Sequence, residues 1–296
     1  MGKVKNYLSL IKFSHTIFAM PFAMIGFSLG LIQARLSDPG RALNLDWLRI
    51  LLSVILCMVF ARSAAMAFNR WLDRHFDARN PRTAIREIPA GIIPANSALA
   101  FTVGSAFLFV LTTCFINRLC FFLSPIALLV VLGYSYTKRF TPLCHLVLGI
   151  GLSLAPIGAY LAVTGAFAVL PILFSCSVIF WVSGFDIIYA LQDEEFDKSQ
   201  NLYSMPSWVG KSKALNISVA LHLLSSLCVI GAGLYGGFGW WYWIGVFLFM
   251  GMLLYQHSIV KPQDLSRVNL AFMTANGIAS VVFSVFVIAD LLARGA

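Results

Sequence analysis

The chain has 296 residues, of which 59% are hydrophobic and 11% charged, with a formal net charge of +9. Its mean hydropathy is +0.85. About a quarter of a soluble domain is charged, so this composition excludes a soluble globular protein and specifies an integral membrane one. A basic excess in a soluble chain would point to nucleic acid. Here Lys and Arg sit between apolar runs, where membrane topology and anionic headgroups explain them. Membrane lipid is therefore an expected partner and nucleic acid is not.

A crossing helix needs about 20 largely apolar residues. The sequence offers nine, over 8–33, 48–70, 95–116, 119–136, 143–164, 168–190, 214–236, 238–257 and 269–291. Lys3 and Lys5 precede the first, as in a signal peptide. No small-x-small cleavage site leads into a soluble domain, so a retained helix is expected. In that span His15 reads as a packed neutral histidine, and Gly26 and Gly30 as points of close helix packing. Only Asn117 and Arg118 separate the third and fourth spans, which predicts a tight hairpin. The six cysteines form no close pair and sit mostly in apolar runs, where cysteine is a small hydrophobe. No segment reads as a linker, so residues 1–296 are expected to form one transmembrane domain.

Lys and Arg predict sidedness. The loops after the second, fourth, sixth and eighth spans carry Arg70 to Arg86, Lys138 and Arg139, Lys198 to Lys213, and Lys261 and Arg267. Together with Lys3, Lys5 and Lys12 they place the N-terminus on the cytoplasmic side. Arg35, Arg41, Arg49, Arg118 and Arg294 fall on the far side against this trend.

Seven of the 12 acidic residues gather at two helix ends on the basic side. Carboxylates beside hydrocarbon are costly and usually functional. In the first cluster Asn69, Asp73 and Asp77 are spaced i, i+4, i+8, which places three oxygen-bearing side chains on one helical face. Oxygen donors suit Mg²⁺, which keeps waters and shares phosphate oxygens. Without a cysteine partner, and with His75 off the acidic face, this is not a closed zinc site. Pro81, Pro89 and Gly91 then break the helix, so Arg82 and Arg86 can reach back over the site to bind phosphate. Ordinary ion pairs at a solvated helix end, or positive-inside topology, are the plainer alternatives.

The second cluster holds Asp186, Asp193 and Asp197, spaced i, i+7, i+11 near one face, with Tyr189 between. Asp186 is deepest and calls for a metal-bound water or a basic partner. Glu194 and Glu195 point elsewhere, and Lys198 is the nearest candidate for a phosphate oxygen. Lys211 and Lys213 read as membrane-edge charges. At the end of the fourth span Tyr134 and Lys138 share a face, with Lys138 placed to hold a leaving diphosphate. Arg62 lies two turns before Asn69 in an apolar span, free to bind an acceptor carboxylate or to pair with Asp186.

Two metal-binding acidic faces, several bases and a lipid-lined cavity fit a polyprenyl diphosphate. Mg²⁺ and basic side chains would neutralise the leaving diphosphate. The allylic cation would be shielded from water and steadied by rings such as Phe68, Tyr134, Phe185 and Tyr189. No general base stands out. The competing class is a membrane anion transporter, but transporters bind near the midplane with broken helices, whereas these acids cluster at one face.

The strings Asn69-x-x-x-Asp73-x-x-x-Asp77, Asp193-x-x-x-Asp197 and Tyr134-x-x-x-Lys138 resemble the UbiA superfamily of intramembrane prenyltransferases. The resemblance covers essentially the whole chain. It implies an all-α fold of nine transmembrane helices around a central cavity, in a prokaryotic plasma membrane, with the active site near the cytoplasmic face. It implies Mg²⁺ on Asn69, Asp73, Asp77, Asp193 and Asp197, and catalysis by Asp73, Asp193, Lys138 and Tyr134. Substrates are expected on Arg62, Asn69, Arg82, Arg86, Arg139, Asp186, Tyr189 and Lys198. The expected reaction moves a polyprenyl group from its diphosphate to an aromatic hydroxy-carboxylate. The strings Lys12-Phe13-Ser14-His15, Asn80-Pro81-Arg82-Thr83 and Tyr134-Ser135-Tyr136-Thr137-Lys138-Arg139-Phe140 resemble the 4-hydroxybenzoate polyprenyltransferase-like branch. They look most like its subgroup in the futalosine route to menaquinone, whose acceptor would be 1,4-dihydroxy-6-naphthoate. The alternative acceptor is 4-hydroxybenzoate, for ubiquinone.

Overall fold

The computed structural model describes residues 2–12, 18–37 and 45–295; His15 and Arg41 lie outside them. The described helices are α1 (Gly2–Leu10), α2 (Met20–Ser37), α3 (Leu45–Leu72), α4 (Arg74–Arg79), α5 (Ala95–Cys114), α6 (Arg118–Thr137) and α7 (Cys144–Thr164). They continue as α8 (Val169–Ala190), α9 (Glu194–Ser199), α10 (Met205–Val209), α11 (Lys211–Tyr235), α12 (Trp240–Ile259) and α13 (Asn276–Gly295). Eight of the described helices are long and apolar enough to cross a membrane, not nine. The difference lies in the expected span 8–33. Helix α1 stops at Leu10, and α2 has 18 residues that include Pro21, Gln33 and Arg35, which dilute its apolar length.

Helix α8 runs through the middle, flanked by α7 and α11, while α2 lies between α7 and α13. An aromatic core built on Trp181, Phe174, Phe22, Phe249, Phe283 and Tyr242 joins α2, α8, α12 and α13. Gly26 permits the close approach of α2 to α7: a Cβ there would stand 1.9 Å from the Pro156 carbonyl oxygen. Gly30 does the same against Val163. The expected hairpin between α5 and α6 is pinned by Asn117. Its side chain caps α6 by accepting the Cys120 N–H at 2.9 Å and donates to the Leu161 carbonyl near the end of α7 at 2.8 Å. Gly165 closes α7 with φ +64°, a left-handed turn that glycine adopts freely.

Length positions the first acidic cluster. Helix α3 has 28 residues, and at 1.5 Å per residue it spans about 42 Å. That exceeds a hydrocarbon core of about 30 Å, so its last turns reach the polar boundary. On the other side of the bundle a π-helical turn covers Leu270–Ala275. Asn276 stabilises it, donating to the Ala271 and Phe272 carbonyls and accepting from Trp181 and Gln256. The turn presents Phe272 to Tyr189, ring centroids 4.3 Å apart.

Candidate active site

The two acidic helix ends meet across one cavity of about 550 Å³. Asp73 interrupts α3 and α4, yet the backbone bonds Asp73 N–H to Asn69 O and Asp77 N–H to Asp73 O carry the helical path through it. Asn69, Asp73 and Asp77 therefore keep one face, and all three line the cavity. Asp186, Asp193 and Asp197 line it from the opposite wall, across a 3₁₀ turn at Leu191–Asp193.

Each acidic motif is held by cations. Asp73, 2% exposed, takes Lys138 Nζ on Oδ2 at 2.6 Å and Arg139 Nη2 on Oδ1 at 3.2 Å. Asn69 Nδ2 donates to Asp73 Oδ2 at 3.2 Å. Asp77 Oδ1 accepts from Arg86 Nη1 at 2.8 Å, while its Oδ2 is buried without a partner. The loop broken by Pro81 turns back over the site through Asn80, whose Oδ1 accepts the Arg82 N–H. Arg82 then spans the cavity. Its Nε and Nη2 donate to the two Asp193 oxygens at 3.0 and 2.5 Å, and its Nη1 donates to the Tyr189 hydroxyl at 3.0 Å. Asn80 Nδ2 adds a bond to Asp193 at 3.2 Å. Burial works to lower the Arg82 pKa, but the bonds and charge of Asp193 outweigh it, and the value is raised.

A second, mostly apolar chamber of about 440 Å³ adjoins the first. Arg62, Met66, Tyr134, Leu148 and Leu152 line both, so they form the passage between them. Of the rings expected along the route, Tyr134, Phe185 and Tyr189 line the charged cavity. Phe68 does not; it stacks on Trp71 and lies tilted against Tyr136.

Three further residues, Asp186, Lys198 and Arg139, sit differently from what the sequence led one to expect. Asp186 pairs with His145, not Arg62, at 2.6 Å; Arg62 donates to the Lys12 carbonyl at 3.4 Å and its Nε has no partner. Lys198, the nearest candidate for a phosphate oxygen, does not line the cavity: it is exposed and pairs with Glu194 at 2.6 Å. Its partner Glu194 is buried, lying between Lys198 and Lys211. Arg139 does not line the cavity; it grips Asp73 and the Leu72 carbonyl from behind, against the Phe76 and Tyr136 rings.

Sequence reasoning missed His145, Asn80 and Arg70. Arg70 is 4% exposed, lines the cavity, and leaves Nε and Nη1 without partners. The available signal was the charge itself: an arginine one residue after Asn69 inside an apolar helix needs an anion. His145 gave no signal beyond its place after a proline-containing turn.

Fold and site together define an integral membrane protein whose cavity of paired acidic and basic side chains adjoins an apolar chamber. The UbiA prenyltransferase family matches residues 19–278, and the chain belongs to it. It is an intramembrane prenyltransferase, as its motifs lead one to expect. The 4-hydroxybenzoate octaprenyltransferase of Nitrosospira multiformis is 29% identical over 249 residues, covering 84% of this chain and 85% of that protein. That of Nitrosomonas europaea is 31% identical over 238 residues, covering 79% and 80%. Such relatives overturn the expected placement in the futalosine-route menaquinone subgroup. A UbiA homolog from Aeropyrum pernix K1 shares the fold with a TM-score of 0.77, 26% identity and coverage of 95% and 98%. A UbiA homolog from Archaeoglobus fulgidus, solved with DMAPP and Mg²⁺, has a TM-score of 0.75 at 20% identity, covering 97% and 99%.

Proposed function

We propose that this chain transfers a polyprenyl group from polyprenyl diphosphate to 4-hydroxybenzoate, with Mg²⁺ as cofactor, as a step of ubiquinone synthesis. The observation that carries the reading is one cavity with both acidic motifs and their cations on its walls, continuous with an apolar chamber. The names of the curated relatives support 4-hydroxybenzoate as acceptor, and the Archaeoglobus homolog, solved with DMAPP and Mg²⁺, supports a prenyl diphosphate donor and the metal.

The residues fit Mg²⁺. Asn69, Asp73, Asp77, Asp193 and Asp197 offer only oxygen, and the buried Asp77 Oδ2 has an unspent acceptor. Among the described residues no three Asp, Glu, His or Cys side chains form a closed cluster. An open set completed by water and phosphate oxygens is what Mg²⁺ favours. When bound, the ion neutralises charge on the diphosphate.

Arg82, Arg86 and Lys138 hold the carboxylates in the free protein and turn to phosphate oxygens when the donor enters, stabilising the leaving group. The Tyr134, Phe185 and Tyr189 rings face the allylic cation, and the apolar chamber takes the chain and excludes water. Arg62 and Arg70, with unspent N–H donors, take the acceptor carboxylate. Residues 1–296 act as one catalytic unit in a prokaryotic plasma membrane, N-terminus and charged cavity on the cytoplasmic side, as the distribution of Lys and Arg supports.

Membranes containing the protein, given labelled polyprenyl diphosphate and 4-hydroxybenzoate, should form the prenylated acid, and a chelator should stop it. No product at excess Mg²⁺ refutes the acceptor assignment.

A further inference from the structure

Prenylation of an aromatic carbon ends with loss of a ring proton, and the groups placed so far bind the donor rather than take that proton. Six acidic side chains line the charged cavity: Asp73, Asp77, Glu87, Asp186, Asp193 and Asp197. Asp73, Asp77 and Asp193 are tied to Lys or Arg. A cationic partner makes a carboxylate a weaker base than a neutral one does. Glu87 is buried and accepts the Ser9 hydroxyl, and Asp197 belongs to the donor-binding motif.

Asp186 stands apart because its partner is an imidazole. His145, in the first turn of α7, is 3% exposed. Its Nδ1 lies 2.6 Å from Asp186 Oδ2, and its Nε2 accepts the Met205 N–H at 3.1 Å. A nitrogen that accepts carries no proton, so the single ring proton is on Nδ1 and is donated to Asp186. The Ser183 hydroxyl donates to the His145 carbonyl at 3.0 Å, which locks α7 to α8 just before Asp186. The carboxylate is thus oriented through one oxygen by a neutral donor. Its side chain is 24% exposed, on the cavity wall.

We propose that Asp186 accepts the ring proton released in prenyl transfer, and that His145 is the positioning residue that orients it. This rests on the acceptor reading above. The allylic C–O bond breaks and its electron pair leaves with the diphosphate. Ring π electrons form the new C–C bond. The C–H bond at that carbon then breaks, its electrons restore aromaticity, and the proton forms an O–H bond on Asp186. Asp186 later passes it to water, so aromatic acid and prenyl diphosphate give prenylated acid, diphosphate and one proton.

The test uses the full chain, 4-hydroxybenzoate deuterated at the carbon that is prenylated, and the variants Asp186→Asn, His145→Asn and His145→Gln. In the unsubstituted protein the isotope effect should be near unity, as expected when ionisation of the donor limits the rate. Asp186→Asn should lower kcat by about 10²- to 10⁴-fold, leave KM for the prenyl diphosphate unchanged, and reveal a primary isotope effect. The amide of His145→Asn keeps a donor at the Nδ1 position and should hold kcat within about tenfold. The amide of His145→Gln occupies the Nε2 position, keeps the Met205 contact, and should show the slowed, isotope-sensitive turnover of Asp186→Asn. A wild-type rate in Asp186→Asn, or a slow rate without an isotope effect, overturns Asp186 as proton acceptor. Equal rates in the two His145 variants overturn the positioning role. Absence of product from the unsubstituted protein would instead defeat the acceptor reading, and is seen before any variant is made.

Discussion

Replacing Arg82 separates what its bridge contributes to stability from what it contributes to turnover. Arg82→Ala removes three hydrogen bonds, two to Asp193 and one to Tyr189, and a cation over the Tyr189 ring at 5.4 Å. The paired side chains are 32% and 19% exposed, so water screens the pair in part. An exposed pair contributes about 0–1 kcal/mol and loss of one partner of a buried pair costs about 3–5 kcal/mol, which places this loss at about 1–2 kcal/mol. Asn80 still donates to Asp193, which limits the damage. In the reaction the same guanidinium stabilises the leaving diphosphate, and loss of one such donor costs about 2.7–4 kcal/mol, or about 10²–10³ in kcat. Turnover should therefore fall far more than stability. Arg82→Lys keeps the charge but cannot span both Asp193 oxygens and the Tyr189 hydroxyl, so it should lie between. Initial rates at saturating acceptor and thermal unfolding in the same detergent measure the two effects. An Arg82→Ala rate within about tenfold of the unsubstituted protein would refute the reasoning and leave Arg82 a structural bridge.

Asp73→Asn should abolish turnover while the purified protein still elutes and melts as a folded species; unchanged prenylation would remove Asp73 from the mechanism. Lys198→Ala should leave kcat and both KM values unchanged, because Lys198 points away from the cavity toward Glu194; a rise in donor KM would return it to the site. Gly26→Ala should prevent stable accumulation, since its Cβ meets the Pro156 backbone at 1.9 Å, whereas Gly104→Ala, with nothing within 4 Å, should be neutral in the same membrane-yield assay. Gly158→Leu fills open space in the apolar chamber, and competition between prenyl diphosphates of different length should shift toward the shorter chain.

Much of the site was legible because helical spacing is local information. Asn69, Asp73 and Asp77 recur every four residues, so a helix must put them on one face, and the backbone bonds through Asp73 preserve that path. Pro81 announced the turn that returns Arg82 and Arg86 over the acids. Partner choice across the cavity was not local. Arg62 and His145 were both available to Asp186, and only the packing of α7 against α8 brings His145 to 2.6 Å. Lys198 and Arg139 failed as cavity residues for the same reason: spacing gives an angle on a helix, but not which side of it faces the cavity.

Composition by itself determined that this chain lives in lipid, because 59% apolar residues in long runs cannot be covered in water. Motif spacing determined which carboxylates act together at each helix end. Tertiary structure alone decided that the two ends share one cavity, that Arg82 joins them, and that Asp186 is held by a histidine. Those contacts link residues such as Arg82 and Asp193, 111 positions apart, and no local rule of helix geometry reaches that far.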